Sequence, residues 1–169
     1  MNLRPLIAGL AFLTMSLFSS AEPLTVGAPA PAVSGVTETG AAIALADVYA
    51  KHPYTLVYFY PKADTPGCTA QGCSLRDAFG DLTARGVVVI GVSTDKPAVQ
   101  KAFKEKYNLP FTLIADHDKK VVEAFGVPTT MGFAKRQAFL IKDGKIVWAD
   151  YNASTRQQAD DVLKVIGGK

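Results

Sequence analysis

Residues 54–68 read Y-T-L-V-Y-F-Y-P-K-A-D-T-P-G-C, and the fold follows from the way this stretch changes character halfway along. Tyr54 to Tyr60 is an unbroken run of β-branched and aromatic side chains without polar alternation. That is the pattern of a strand covered on both faces. Pro61 ends the run, since a proline has no N–H to give to a ladder. Thr65 and Pro66 then open a helix, with Thr65 at the N-cap and Pro66 at the first helical position, where its missing N–H costs nothing. Leu75, Ala78, Phe79 and Leu82 follow at helical spacing as one apolar stripe, and Gly86 stops the helix.

The same alternation continues on the C-terminal side. Val87 to Val92 is a second buried strand, and Thr94 or Asp95 is placed to cap a second helix with Val99, Ala102, Phe103 and Tyr107 on one face. Phe111 to Ala115 reads as a third strand, and Lys119 to Phe125 as a short helix stopped by Gly126 and Pro128. Gln137 to Ile141 and Lys145 to Tyr151 flank Asp143-Gly144, a hairpin signal. Ser154 with Gln157 resembles a capping box before a last helix with Ala159, Val162, Leu163 and Ile166 inward. On the N-terminal side, Pro23 to Leu45 is extended and loop-like, with a small hairpin around Glu38-Thr39-Gly40, and Asp47 to Ala50 makes a helical turn. Strand-helix-strand order implies parallel strands, and the final hairpin adds an antiparallel edge. The expectation is an α/β, thioredoxin-like fold, a central mixed sheet flanked by helices. Functional groups in such sheets gather at the carboxyl ends of strands, where residues 61–68 leave the first long strand.

Composition agrees with a globular domain: 49% of the 169 residues are hydrophobic and 20% charged, which excludes the disordered class. The net charge of +3 is too mild, and its basic residues too scattered, to argue for nucleic acid or an anionic surface. The N-terminus reads differently. Met1 to Arg4 is basic, Pro5 to Phe18 is apolar, and Ser19-Ser20-Ala21 has the small residues of a processing site, so residues 1–21 read as a secretory signal peptide. The apolar run of about 14 residues is short of the roughly 20 that span a bilayer, so no stable membrane association is expected. Residues 22–169 are then the folded domain, exported to the bacterial periplasm if the source is Gram-negative.

Both cysteines, Cys68 and Cys73, lie in that domain. The thiolate is the nucleophilic form of cysteine. With Thr65 at the N-cap, Cys68 falls in the first helical turn, where unpaired amides and the helix dipole favour an anion. Thr65 can offer its hydroxyl to the sulfur or to a bound oxygen. Gly67 lets a small substrate approach the backbone, and Pro61 and Pro66 stiffen the loop and keep water from the sulfur. A cation is still needed, and Arg136, just before the strand from Gln137, is the candidate, because its planar fork can contact sulfur and oxygen together.

The motif PxxxTxxC at 61–68 resembles the active-site signature of the peroxiredoxins. The longer segment FYPKADTPGCTAQGCSLRD is similar to the bacterioferritin-comigratory protein / PrxQ branch. GVSTD at 91–95, KYNLPFTLIAD at 106–116, and Arg136 followed by FLIKDGKI at 139–146 extend the likeness over residues 24–165. The resemblance implies a thioredoxin-dependent peroxidase acting on hydrogen peroxide and organic hydroperoxides. It implies Cys68 as the peroxidatic residue, with Pro61, Thr65 and Arg136 around it, and Cys73 as the resolving residue that forms a Cys68–Cys73 disulfide. A thioredoxin-like dithiol protein would be the reductant. No metal or organic cofactor is implied, and the chain is expected to be a monomer, with a dimer as the alternative. Gln71 stands where the family often carries Glu, and residues 126–135 are spaced differently from the family.

Other readings of the pair remain open at this stage. A thioredoxin-like disulfide oxidoreductase prefers C-x-x-C, whereas this chain has C-x-x-x-x-C. A non-enzymatic domain with a structural disulfide gains little from so short a loop. Metal binding by Cys68, Cys73, His52 and His117 lacks a zinc-type spacing. Arg76 reads as a surface ion pair with Asp77 or Asp81. Helix geometry adds a constraint: five residues along an α-helix rise about 7.5 Å and turn a net of about 140°. A disulfide needs Cα atoms within about 6.8 Å. Forming Cys68–Cys73 therefore requires roughly residues 66–75 to unwind, aided by Gly67 and Gly72.

Overall fold

The strand read from Tyr54 begins at that residue and runs to Phe59, every position after the first buried. It is the middle strand of the sheet in a computed structural model that describes residues 24–167. The proposed leader, 1–21, lies outside the described residues. In chain order the strands are β1 (Ser34–Val36), β2 (Ala42–Ala44), β3 (Tyr54–Phe59), β4 (Val87–Ser93), β5 (Thr112–Ala115), β6 (Thr129–Thr130), β7 (Phe133–Ala134), β8 (Gln137–Lys142) and β9 (Lys145–Asp150). The helices are α1 (Leu45–Lys51), α2 (Pro66–Asp77), α3 (Phe79–Ala84), α4 (Pro97–Tyr107), α5 (Lys120–Ala124) and α6 (Gln158–Gly167).

The main sheet has the order β5-β4-β3-β8-β9. β3 pairs parallel with β4, and β4 with β5. β8 is antiparallel to β3, and β9 to β8. Side chains alternate between two packed layers, as the period of a strand requires. Leu56, Tyr58 and Tyr60 face the layer that also holds Leu75, Leu82, Phe103 and Val162 from the helices. Val57 and Phe59 face the opposite layer with Val121, Val122 and Phe125. The mixed sheet between helical layers is the expected thioredoxin-like arrangement, and the hairpins at Glu38-Thr39-Gly40 and Asp143-Gly144 are both present. Asp143 and Gly144 have φ of 49° and 69°, the left-handed pair that a two-residue hairpin turn demands.

Four local expectations are corrected. The helix after Pro66 is not continuous to Gly86: Ala78, at φ −93° and ψ 6°, separates α2 from α3. The break turns Phe79 onto Phe111, with ring centroids 6.2 Å apart. Neither Thr94 nor Asp95 caps α4; the N-cap is Lys96. Asp95 is occupied instead by the Ala63 amide and the Ser93 hydroxyl, each donating to Oδ2 at 2.8 Å. The inward face of α4 is also rotated. Val99 is 43% exposed, and Gln100 is buried in its place, because the Gln100 amide donates to Ser93 Oγ and to the Ile114 carbonyl and accepts from Tyr60. Finally, Ser154 accepts from the Arg156 and Gln157 amides in a turn that precedes α6, so the cap sits upstream of Gln158.

Residues 126–135 contain the β6–β7 hairpin, with Met131 and Gly132 at its tip in left-handed conformation. Among the described residues no helix is long and apolar enough to cross a membrane.

Candidate active site

The loop from Tyr60 to Thr65 lies at the carboxyl edge of β3 and is tied at successive points. The Tyr60 amide donates to the Val92 carbonyl at 3.1 Å, and Asp95 receives the Ala63 amide. Asp64, in the left-handed region at φ 59°, gives its carboxylate to Lys106 and to the Tyr107 hydroxyl. The Lys106 ammonium holds that carboxyl below its ordinary range. These ties come from the Ser93–Asp95 edge and the end of α4, so two neighbouring crossovers set where α2 begins.

Thr65 occupies the N-cap by its backbone, and its carbonyl accepts from the Thr69 amide at 2.8 Å. Its side chain does something other than expected. It makes no cap bond, and its hydroxyl donates to the Lys62 carbonyl at 2.9 Å. The single hydroxyl proton is therefore committed to the loop, and toward a sulfur or peroxide oxygen Thr65 can act only with its lone pairs. Of the two prolines, Pro61 is half-buried while Pro66 is exposed, so Pro66 sets the first turn rather than covering the sulfur.

Cys68 sits at the third position of α2 and is 1% exposed. Arg136, just before β8, brings Nη2 to 3.4 Å from Cys68 Sγ. A residue 68 positions away thus supplies the cation that the helix start lacked. Gly67 makes this approach possible, because a β-carbon there would lie 3.2 Å from the same Nη2.

Gln71 was not assigned a role from sequence. It is fully buried on α2, and its Oε1 accepts from Arg136 Nη1. The other end of its amide donates to Gln158 Oε1 at 2.6 Å. The signal that could have found it is spacing: Gln71 lies three residues after Cys68, on the same helical face. Tyr60 is a buried core residue stacked on Tyr58 and bonded to Gln100.

Cys73 is partly exposed on the same helix, in a groove of about 590 Å³ between α2 and α6 that also holds Ser74, Asp77, Asp81, Arg156 and Asp160. Both cysteines are free thiols on an intact helix. Arg76 pairs with Asp77 and also donates to the Tyr107 carbonyl at 2.8 Å. Its bond to Asp77 holds the guanidinium above its ordinary range. Among the described residues no group of three or more His, Cys, Asp or Glu side chains is arranged to hold a metal ion, and His52 and His117 are both exposed.

A buried thiol at a helix N-terminus, facing a guanidinium, is an arrangement for nucleophilic attack with stabilisation of the departing anion. Comparison with known proteins points the same way. Residues 26–149 match the AhpC/TSA family. The chain is 44% identical over 143 residues to peroxiredoxin Bcp of Escherichia coli K12, covering 79% of this chain and 90% of that protein. Among solved structures, peroxidoxin BcpB of Mycobacterium tuberculosis superposes with a TM-score of 0.80 at 27% identity, over 85% of this chain and 96% of that one. The bacterioferritin comigratory protein of Xanthomonas campestris, described with alkyl peroxide reduction activity, gives a TM-score of 0.76 at 27% identity, covering 86% of this chain and 96% of the other. The fold, the helix-borne thiol and these likenesses agree: the chain belongs to the AhpC/TSA family, as a peroxiredoxin of the Bcp/PrxQ kind, a thiol-dependent peroxidase.

Proposed function

We propose that this peroxidase works through Cys68 as the peroxidatic residue and Cys73 as the resolving residue. The observation that carries the assignment is the 3.4 Å approach of Arg136 Nη2 to a buried Cys68 Sγ in the first turn of α2. The Cys68 thiolate attacks one oxygen of ROOH. The S–O bond forms as the O–O bond breaks, and the leaving alkoxide takes a proton to become ROH. Cys68 is left as a sulfenic acid. Arg136, beside the sulfur, would stabilise the negative charge of the thiolate and of the oxygen that leaves. Cys73 then attacks the Cys68 sulfur and releases water, giving the intramolecular disulfide. A thioredoxin-like dithiol protein reduces that disulfide by two exchange steps. Pro61 and Thr65 shape the loop that presents the helix start.

The two cysteines lie on one intact helix, so resolution requires α2 to open between about residues 66 and 75. The intact helix is the peroxide-reactive form, since it builds the anion site at Cys68. The opened form carries the disulfide out to its reductant.

The assay is peroxide consumption by the protein with a panel of dithiol reductants. Cys68→Ser is expected to abolish turnover, and Cys73→Ser to react once and stop as the sulfenic acid. Wild-type turnover by Cys68→Ser would overturn the assignment. We also place the enzyme outside the cytoplasm, supported by the basic start, apolar run and Ser19-Ser20-Ala21 of residues 1–21. The exported protein is expected to begin at Glu22; a cytosolic chain retaining Met1 would refute this.

A further inference from the structure

We infer that Gln158, the first residue of α6, is a positioning residue for the peroxide step, acting on Arg136 through Gln71. The inference rests on the assignment of Cys68 and Arg136 proposed above. Gln158 is 1% exposed, makes no contact with the sulfur that would mark it from sequence, and lies 87 positions from the residue it holds.

Hydrogen-bond polarity orders the three side chains. A guanidinium only donates, so Gln71 must present its carbonyl oxygen to Arg136 Nη1. The amide nitrogen of Gln71 then points the other way and needs an acceptor in the protein interior. Gln158 Oε1 supplies it at 2.6 Å. The terminal torsion of a glutamine is broad and roughly two-fold, so nothing in Gln71 itself chooses which end of its amide faces Arg136. Arg136, which only donates, favours the oxygen end, and Gln158 Oε1 reinforces that choice by giving the NH2 group its partner on the far side. Without the Gln158 oxygen, Gln71 can turn its NH2 group toward the guanidinium, where donor meets donor and Arg136 loses its hold. With it, one nitrogen of Arg136 is anchored and the other is left at 3.4 Å from Cys68 Sγ.

Two further observations bear on how Gln158 is held. Of its amide, only Oε1 is engaged by a side chain among the described residues, and that partner is Gln71. The start of α6 is also fixed to α2 by a separate bond, from Ser74 Oγ to the Arg156 carbonyl at 3.0 Å. Gln158 therefore meets Gln71 at a defined position, and does so only while α2 is helical. When α2 opens to form the disulfide, Gln71 leaves both partners and Arg136 is released. The device thus confines a correctly aimed Arg136 to the reduced, peroxide-reactive form.

The test is Gln158→Met, which keeps volume but removes both the acceptor and the unmatched donor. Its readouts are the rate of Cys68 oxidation by hydrogen peroxide, the rate of Cys68 alkylation by iodoacetamide, and thermal stability. The peroxide rate is expected to fall about ten-fold, as for a donor left present but poorly aimed. Alkylation, which needs the thiolate but no polarised O–O bond, falls by a smaller factor, and stability is unchanged or raised. Gln158→Asn keeps the amide but withdraws it from Gln71, and is expected to lower the peroxide rate in the same way. Leu163→Ala, on the same helix but with no hydrogen bond to Gln71, should lower stability without changing the ratio of the two rates. A folded Gln158→Met that reacts with peroxide at the wild-type rate would overturn the inference. So would a fall of both rates in the same proportion, or failure of both Gln158 variants to fold. A wild-type protein reacting no faster than a free thiol would instead remove the assignment of Cys68 on which the inference stands.

Discussion

Gly67 and Arg136 share a space that holds only one of a methyl group and a guanidinium: a β-carbon on Gly67 would lie 3.2 Å from Arg136 Nη2. That distance is tighter than ordinary van der Waals contact, so one partner has to yield. The guanidinium is the flexible end of a long side chain and will move first. Gly67→Ala is therefore expected to fold, with stability unchanged or raised by up to about 1 kcal/mol, because alanine is the better helix former. Its peroxide rate should fall about ten-fold or more as Arg136 is pushed from the sulfur. Stopped-flow peroxide oxidation beside a thermal melt checks this; full activity would mean the close approach is not needed.

Charge alone at position 136 should not suffice. Arg136 divides its two terminal nitrogens between Gln71 and Cys68, and a lysine has one ammonium to offer. Arg136→Lys is expected to lose about 100-fold in the peroxide step, close to the loss from removing one preorganised donor. A rate within a few-fold of wild type would show that a point charge does the work.

Opening of α2 predicts a separation of the two chemical steps at Gly72. This glycine is buried, and an added β-carbon would meet Leu109 at 3.5 Å and Phe103 at 3.6 Å, ordinary contacts that the core accepts. Gly72→Ala should stabilise the helix by about 1 kcal/mol and slow disulfide formation by up to about five-fold. The first oxidation of Cys68 should be unchanged, and over-oxidation at high peroxide should increase. Amide exchange over residues 66–75 should be faster in the disulfide form than in the reduced form. Equal protection in both forms would rule out the opening.

Acid should weaken the fold through Glu38. This carboxylate, 7% exposed in the β1–β2 turn, accepts from Lys104 at 2.6 Å and from the Leu113 amide at 3.0 Å. Burial pushes its pKa up, but the bonds from Lys104 and Leu113 outweigh that, and it lies below the ordinary 4.5. A carboxyl depressed by folding contributes stability above its unfolded pKa, and the contribution is lost as pH falls through the folded value. Glu38→Gln is expected to cost about 2 kcal/mol at neutral pH, the scale of a hydrogen bond to a charged group. The gap from wild type should narrow below about pH 4.5, where wild type loses the charge as well. A gap independent of pH would refute the charged contact. Asp116 is present in both proteins and its own titration cancels in the comparison.

Much of the architecture is legible in contiguous residues. The run from Tyr54 to Tyr60, the Thr65-Pro66 start and the Asp143-Gly144 turn depend on backbone preferences and local burial patterns, which a few neighbouring residues carry by themselves. They place a strand, a sharp loop, and Cys68 in a helical first turn. What local pattern misjudged was the rotation and continuity of helices. Val99 and Gln100 are adjacent, and which one turns inward is decided by Ser93 and Ile114 on other strands. The break at Ala78 is likewise associated with the contact of Phe79 with Phe111.

The sequence by itself determined the order of elements and the position of the thiol at a helix start, because both follow from interactions within a few residues. Only the tertiary structure decided how that thiol is served. Arg136 reaches Cys68 across 68 residues and Gln158 reaches Gln71 across 87, and no periodicity encodes such pairings. They exist because β8 pairs beside β3 and α6 packs on α2, which brings the half-buried guanidinium against two buried amides. There the guanidinium can only donate and the Gln71 amide must turn its oxygen to it, and that requirement, rather than any local motif, sets the direction of the chain from Gln158 to the sulfur.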